Sequence, residues 1–169
     1  KKSKYIDEII VSTDSNSIRY QAHKMNCQIL KRPKKLCLDK TNANQVIKHA
    51  IENIKINENY FIVYLQPTSP FRTHVHINKA FEILKKNKSS NLLSVKEINE
   101  NFFKSFTLNK FLKPNRPKSL NSNRQSLNKV FSANGAVYIF TKKSFLKTNK
   151  IPSDRLIPLF MTNLESIDI

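Results

Sequence analysis

Residues 61–72 read FIVYLQPTSPFR, and this segment decides the fold. Its first five residues are apolar and rich in β-branched and aromatic side chains, which is typical of a buried strand. Two prolines then end the strand, because proline fixes φ and lacks the amide hydrogen that a sheet requires. Gln66, Thr68 and Ser69 place hydrogen-bonding groups at the carboxyl end of the strand, where open α/β sheets bind ligands. These residues alone predict either a site-forming loop or a plain strand-ending turn with polar caps.

The residues around this segment alternate between strand and helix patterns. A compact apolar run at residues 9–11 predicts another buried strand, and the polar turn at residues 12–15 predicts a second site-forming loop. Further elements are predicted as strands at residues 27–30, 92–95 and 136–140 and as a short helix at residues 18–25. Two amphipathic helices are predicted from apolar residues at helical spacing, namely Val46, Ile47, Ala50, Ile51 and Ile54, and Ile77, Ala80, Phe81 and Leu84. Helices that connect parallel strands imply an α/β protein, with a three-layer α/β/α Rossmann-like fold and a mostly parallel sheet.

The pattern changes between residues 97 and 128. Aromatic and aliphatic residues partly alternate with polar ones there, so we predict a hairpin or an irregular excursion, with a loop over residues 113–123. Such an excursion can shelter a substrate or form a subunit contact, and the sequence leaves both open. A length of 169 residues fits a single domain, residues 1–169, in which residues 97–128 are a candidate dimerisation element.

The composition is that of an ordinary globular protein with a large excess of positive charge. Hydrophobic residues make up 39% of the chain, the net charge is +18, and there is one glycine and no tryptophan. Lysines are spread over nearly every segment, which favours a general compositional bias over a dedicated polyanion-binding surface. The two cysteines lie ten residues apart and signal neither a zinc site nor a disulfide framework. Without a long apolar run, we expect a cytoplasmic protein that does not enter a membrane.

Five further segments accompany the one at residues 65–72. They read IVSTDS at residues 10–15, RPKKLCLD at 32–39, RQSL at 124–127, NGAVYI at 134–139 and SIDI at 166–169. In this order, the six segments resemble motifs of the acylneuraminate cytidylyltransferases, which activate sialic and related nonulosonic acids as CMP conjugates. Phe71, Cys37 and Asn128 stand where the family usually has Leu, Ala and Pro. The resemblance covers nearly the whole chain and implies the nucleotide-diphospho-sugar transferase form of the Rossmann-like fold.

The resemblance implies a role for each matching residue. The positions similar to those that hold the nucleotide are Arg32, Gln66, Pro67 and Thr68. The positions similar to those around the acceptor sugar are Gln66, Ser69, Arg124, Asn134 and Gly135. The carboxylate of that sugar suits the guanidinium of Arg124. Asp168 resembles a carboxylate that helps to hold Mg²⁺ beside the triphosphate, and this ion prefers oxygen ligands.

The reaction that the family performs needs no protein nucleophile. The anomeric hydroxyl of the sugar attacks the α-phosphorus of CTP and releases pyrophosphate, so we predict no catalytic nucleophile. The histidines are assigned no role, with His74 and His76 expected to be solvated at a helix start, and Asp14 is interpreted as a turn or helix cap. The implied partners are CTP and an acidic nonulosonic sugar, bound by a homodimer that contacts neither membrane nor nucleic acid.

The chain also departs from the family pattern. A glycine-containing basic loop that cradles the triphosphate has no counterpart in these residues, and neither does a second aspartate after Ile169. We therefore expect a fragment, incomplete at both ends and inactive alone. The alternatives are a cytidylyltransferase for pseudaminate, legionaminate or an octulosonate, a degenerate non-catalytic remnant, or a basic nucleic-acid-binding module. The stretch at residues 134–136 favours the sialic or legionaminic branch.

Overall fold

The computed structural model describes residues 3–169, except for the side chains of Glu100 and Arg124. The strands are β1 (Ile10–Thr13), β2 (Gln28–Lys31), β3 (Phe61–Tyr64), β4 (Leu92–Ile98), β5 (Phe106–Leu108), β6 (Leu112–Pro114), β7 (Val130–Thr141) and β8 (Ile157–Phe160). The α-helices are α1 (Asn16–Lys24), α2 (Ala43–Asn53), α3 (His74–Lys86) and α4 (Lys142–Leu146). In this part of the chain, every helix is too short or too polar to cross a bilayer.

The central sheet has four strands in the order β3-β7-β4-β8. β4 and β8 are parallel, and β7 runs antiparallel to both of its neighbours, so β3, β4 and β8 share one direction. β1 and β2 form a separate parallel pair, and β5 and β6 form an antiparallel hairpin. β3, β4 and β8 therefore have their carboxyl ends on the same side of the sheet, and β7 has its carboxyl end on the opposite side.

The central sheet buries an apolar cluster on each face. One cluster packs side chains of α3 against the sheet and comprises Ala80, Leu84, Leu92, Ala136, Val137, Ile139, Leu159 and Met161. The other packs side chains of α2 and α4 and comprises Ile47, Ile51, Phe140 and Phe145. Strand alternation explains the division, since Val63 and Leu65 contact the first cluster while Ile62 and Tyr64 contact the second. The predicted three-layer α/β/α arrangement is confirmed.

The helix starts follow the capping chemistry of the sequence. Asn42 caps α2 in a capping box with Gln45. Ser15 caps α1 through its hydroxyl, which accepts a hydrogen bond from the amide of Ile18. The sequence predicts a turn or helix cap at Asp14. Since Ser15 is the cap, Asp14 is a turn residue before α1. The structure also adds α4 and β8, which the sequence patterns did not predict because α4 has only five residues and β8 contains a proline.

The predicted excursion contains a hairpin. β5 and β6 pair from Phe106 opposite Pro114 to Leu108 opposite Leu112. The segment predicted as a loop, residues 113–123, includes the end of β6 and one turn of 3₁₀ helix at Pro117–Ser119. Most of the hairpin's apolar side chains stay exposed, with Leu108 and Phe111 each 76% accessible.

Candidate active site

A bulge in β7 forms the floor of the candidate site. Leu93 pairs with Tyr138, whereas Val95 pairs with Ala133, so two steps along β4 correspond to five along β7. β7 therefore carries three extra residues opposite Ser94. A bulge of this kind bends the strand and redirects side chains that regular alternation would place elsewhere.

Gly135 lies in the bulge, where its backbone conformation favours a glycine and a neighbouring side chain leaves no room for a Cβ atom without moving. Its φ is +77°, a left-handed conformation that costs free energy for any residue with a Cβ atom. A Cβ atom at this position would also collide with Oε1 of Gln66. The chain has no other glycine, and this one lets the bulge approach the loop after β3.

Asn134, Ser94 and Ser166 form a buried polar cluster, named here the Asn134 cluster. The hydroxyl of Ser94 donates to Oδ1 of Asn134 at 2.6 Å, and Nδ2 of Asn134 donates to Oγ of Ser166 at 2.8 Å. The amides of Ala136 and Val137 donate to Oδ1 of Asn134 and to Oγ of Ser94, at 3.2 and 2.7 Å. Nδ2 also lies 3.4 Å from a methionine sulfur. Because the amide of Asn134 is already used by protein partners, a ligand could bond to it only by displacing one of them.

Arg72 connects the loop after β3 to the bulge. Its Nη1 donates to the carbonyl oxygens of Gln66, at 2.7 Å, and of Ala136, at 3.0 Å. Burial lowers the pKa of the Arg72 guanidinium, which nevertheless stays protonated. A second connection reaches the loop from the C-terminal segment, where the amide of Ile169 donates to the carbonyl oxygen of Thr68 at 3.1 Å. The backbone of the loop is thus held from two sides.

These elements enclose a polar pocket of about 330 Å³. It is lined by Gln66, Lys96, Ser132, Ala133, Asn134, Gly135, Tyr138, Ser166 and Asp168. Four of the residues predicted from the sequence are therefore brought together: Gln66, Asn134, Gly135 and Asp168. No protein hydrogen bond is recorded for the Gln66 amide among the described residues, so this group is free to bond to a ligand.

The C-terminal segment is anchored by a histidine. The amide of Thr73 donates to Nδ1 of His76 at 3.0 Å, which leaves the hydrogen on Nε2, and Nε2 lies 3.0 Å from Oε1 of Glu165. The other oxygen of Glu165 accepts hydrogen bonds from the amide and hydroxyl of Thr162. The bonds from Thr162, followed by the one from His76, lower the pKa of Glu165 to about 2. The expectation that His76 is solvated was wrong, since its side chain is 14% exposed and joins α3 to the segment that carries Asp168.

Asp168 and Tyr138 face each other across the pocket. Burial raises the pKa of Tyr138, and the nearby Tyr64 and the charge of Asp168 raise it further. The phenol therefore stays protonated at neutral pH and can donate a hydrogen bond. Asp168 is an exposed carboxylate, and no group of three or more metal-ligating side chains occurs among the described residues. One carboxylate fits Mg²⁺ only where substrate phosphates supply further oxygens, as is common for this ion.

A family model described as Cytidylyltransferase matches residues 1–167. The chain belongs to this family. It is 28% identical over 181 residues to the N-acylneuraminate cytidylyltransferase of Escherichia coli O18:K1:H7, a match that covers 99% of the chain and 40% of that protein. It is 28% identical over 186 residues to the CMP-N,N'-diacetyllegionaminic acid synthase of Legionella pneumophila, covering 99% of the chain and 75% of that protein. The chain thus spans less than half the length of the first relative.

A solved structure has the same fold as this chain. CMP:2-keto-3-deoxy-manno-octonic acid synthetase complexed with CTP matches with a TM-score of 0.66 and 8% identity, over 95% of this chain and 75% of that one. At this identity the likeness concerns the fold alone. It confirms the α/β fold class predicted from the strand and helix patterns.

Arg32 does not line this pocket. It follows β2, and its Nε and Nη2 donate to Oγ and the carbonyl oxygen of Ser12 at 3.2 and 2.6 Å. Nη1 of Arg32 has no recorded partner in the described part of the chain. The predicted contact of Arg32 with the nucleotide stays a prediction. It would lie beside β1 and β2, outside this pocket.

Other predicted residues also lie outside the pocket lining. Pro67 and Thr68 follow Gln66 but do not line the pocket. The hydroxyl oxygen of Ser69 is enclosed by protein and has no hydrogen-bond partner among the described atoms. The side chain of Arg124 lies outside the described part of the structure, so its predicted contact with the sugar stays a prediction.

Sequence reasoning missed two pocket residues that carry chemistry. Lys96 and Tyr138 lie on neighbouring strands, and no local pattern distinguishes them from other surface lysines and strand tyrosines. Ser94 did leave a signal, because it is a polar residue within the apolar run of β4. A larger cavity of about 780 Å³, lined mainly by residues of 42–44 and 147–154, contains none of the predicted site residues.

Proposed function

We propose that this pocket serves the transfer of CMP from CTP to the anomeric hydroxyl of a sialic or related nonulosonic acid. One observation carries the proposal. Gln66 from the loop after β3, Gly135 from the bulge and Asp168 from the C-terminal segment meet in one pocket although they are far apart in the sequence. Each belongs to a different segment that resembles an acylneuraminate cytidylyltransferase motif, and a chance convergence of three such segments is improbable.

The proposed division of roles follows the geometry. Gln66 offers an unbonded amide to the nucleotide or the sugar, with Pro67 and Thr68 shaping the loop behind it. Arg32 keeps one free nitrogen for the nucleotide at the edge of β1 and β2. On the sugar side, Arg124 contacts the acceptor, and Gly135 leaves room for Gln66. Asn134 acts by holding the backbone of the bulge, since its amide is occupied by protein partners, and Ser69 is buried within the loop after β3 with its hydroxyl enclosed.

The reaction requires positioning and charge neutralisation more than a protein nucleophile. The sugar hydroxyl attacks the α-phosphorus while the bond to pyrophosphate breaks, so both groups must be held in line. The protonated phenol of Tyr138 can donate a hydrogen bond to an oxygen that gains negative charge. We propose that Asp168 holds Mg²⁺ together with the phosphates of CTP, where the ion supplies positive charge.

The relatives favour an acidic sugar as the acceptor. The E. coli relative is named for N-acylneuraminate and the Legionella relative for a legionaminic acid. Both are carboxylic acids, and we propose that this chain takes an acceptor of the same class. Pseudaminate and an octulosonate stay as alternatives within it. The residues present include no glycine-rich phosphate loop, so we propose that these 169 residues bind the sugar but do not turn over alone.

Calorimetric titration of the chain tests this proposal. The titrants are N-acetylneuraminate, legionaminate, pseudaminate and the octulosonate, each with and without CTP and Mg²⁺, and neutral N-acetylmannosamine is the control. We expect at least one acid to bind and the neutral sugar to fail. Pyrophosphate release in the same mixtures should stay at background. Release above background would overturn the proposed inactivity, and binding of neither CTP nor any acid would overturn the proposed function itself.

We further propose that the hairpin of β5 and β6 forms a contact between two copies of the chain. Exposed apolar side chains on a soluble protein often mark an interaction surface, and Leu108, Phe111 and Leu112 are each more than 60% accessible. Sedimentation equilibrium should give twice the chain mass. The variant Phe111→Glu should give the single mass, whereas a variant at an exposed apolar residue elsewhere, Met25→Glu, should not. A monomeric wild-type chain would contradict the contact.

A further inference from the structure

We propose that Lys96 determines the specificity of the site for an acid over a neutral sugar, by pairing with the carboxylate of the acceptor. This inference rests on the proposed function and adds a residue to it. Lys96 is the single cationic side chain among the nine residues that line the pocket. A cation at this place distinguishes a negatively charged ligand from a neutral one of the same shape.

The position of Lys96 follows from the strands. On β4 it lies two residues after Ser94, opposite Ser132 of β7, so alternation places its side chain on the face that carries the Asn134 cluster. The next residue, Glu97, points the other way and pairs with Lys129 at 3.2 Å. Glu97 therefore does not neutralise Lys96.

The ammonium of Lys96 has no ion pair among the described side chains. Asp168 lines the same pocket, but the two charges do not come within the 4.0 Å that defines an ion pair. The pocket thus presents the ammonium of Lys96 and the carboxylate of Asp168 as two separate charges that do not form an ion pair with each other. A ligand with one anionic group, and with hydroxyls for the remaining polar groups, matches this arrangement.

The charge and size of the pocket favour a carboxylate over a triphosphate at Lys96. With one lysine and one aspartate, the lining is electrically neutral overall, which matches a single negative charge better than several. A volume of about 330 Å³ lies at the lower end of ligand pockets and suits one sugar rather than a sugar and a nucleotide together. The phosphates would then lie outside this pocket, on the side of Asp168.

The test compares an acid with its methyl ester, which keeps the shape and removes the charge. For wild-type protein we expect the ester of the best-binding acid to bind about 10- to 100-fold more weakly than the acid. Lys96→Gln should bind acid and ester alike, because it has lost the charge that tells them apart. Lys96→Arg should keep part of the difference. The matched control, Lys129→Gln, removes a lysine that immediately precedes the neighbouring strand β7 and lies outside the pocket lining, and it should behave as wild type.

Four outcomes would overturn the inference. The acid-to-ester ratio could stay unchanged in Lys96→Gln, or this variant could weaken CTP binding alone, which would assign Lys96 to the phosphates. The ratio could instead collapse in Arg124→Ala and persist in Lys96→Gln, which would assign the carboxylate to Arg124. Wild-type protein that binds no acid would contradict the proposed function and the inference with it. Thermal melting of each variant shows that it is folded.

Discussion

The loops after β1 and after β3 resemble each other, but only the second lines one of the two cavities described above. Each follows a short strand and carries polar side chains, and an arginine bonds to a carbonyl oxygen near the end of each strand, at Ser12 within β1 and at Gln66 after β3. Arg32 joins β2 to Ser12 within the two-stranded sheet. Arg72 instead joins its loop to the bulge of β7, which belongs to a distant part of the chain.

This difference shows what a polar strand end needs in order to become a site. The loop after β3 is faced by two further segments, the bulge of β7 and the C-terminal segment, and all three line the pocket. The loop after β1 instead bonds to its sequence neighbours, to Thr13 of β1 and to Ile18 of α1. Polar residues at a strand end provide hydrogen-bonding groups, whereas the concave surface comes from long-range contacts.

The largest effect should come from removing Arg72, with Arg32 as the comparison. Arg72→Met leaves two half-buried carbonyl oxygens without a donor, and we expect the free energy of unfolding to fall by roughly 2–4 kcal/mol. Arg32→Met should lower it by about 1 kcal/mol or less, because its part-buried contacts lie in the separate two-stranded sheet, where water can replace them more easily. Urea denaturation measures both values. Equal losses would break the comparison between the two loops.

The next effect concerns the Asn134 cluster. Asn134→Ala leaves the hydroxyls of Ser94 and Ser166 without their partner, and we expect a loss of roughly 2–3 kcal/mol. Ser12→Ala, at the end of β1, should cost about 0.5 kcal/mol or less. Because the cluster acts as a unit, Ser94→Ala should add little in the Asn134→Ala background. Fully additive losses in urea denaturation would contradict a coupled cluster.

Gly135→Ala should have a smaller effect on stability and a clear effect on binding. The left-handed backbone costs alanine about 1–2 kcal/mol. The new methyl group also displaces the side chain of Gln66, so binding of the acid sugar should weaken. Adding Gln66→Ala removes the collision and leaves the backbone cost. If the double variant is as stable as wild type, the backbone conformation is not the constraint we describe.

The smallest effect should appear at low pH. Glu165 has a pKa of about 2 in the folded chain against an ordinary value of 4.5, so its contribution to stability is complete above about pH 4.5. As the pH falls from 4.5 towards 2, the carboxylate is protonated and this contribution is lost. Melting temperatures of wild type and Glu165→Gln should therefore converge over this window. A constant difference between them would contradict the assignment.

Local patterns were sufficient for most of the fold. The apolar spacing in α2 and α3 and the alternation in β3 predicted which elements form and which faces they bury, because these properties depend on neighbouring residues. The Asn134 cluster was beyond such reasoning. The cluster joins residues 94, 134 and 166, which are far apart in the sequence. It depends on a bulge whose three extra residues change which side chains of β7 face each side of the sheet. A periodic pattern in the sequence does not indicate where such a bulge occurs.

The half-buried guanidinium of Arg72 also has a kinetic consequence. Its recorded partners are two carbonyl oxygens, and no carboxylate neutralises it among the described side chains. A full positive charge therefore persists beneath a pocket in a chain whose net charge is +18. Such a field accelerates the arrival of anions and is screened over about 8 Å at physiological ionic strength. Added salt should slow association more than it speeds dissociation.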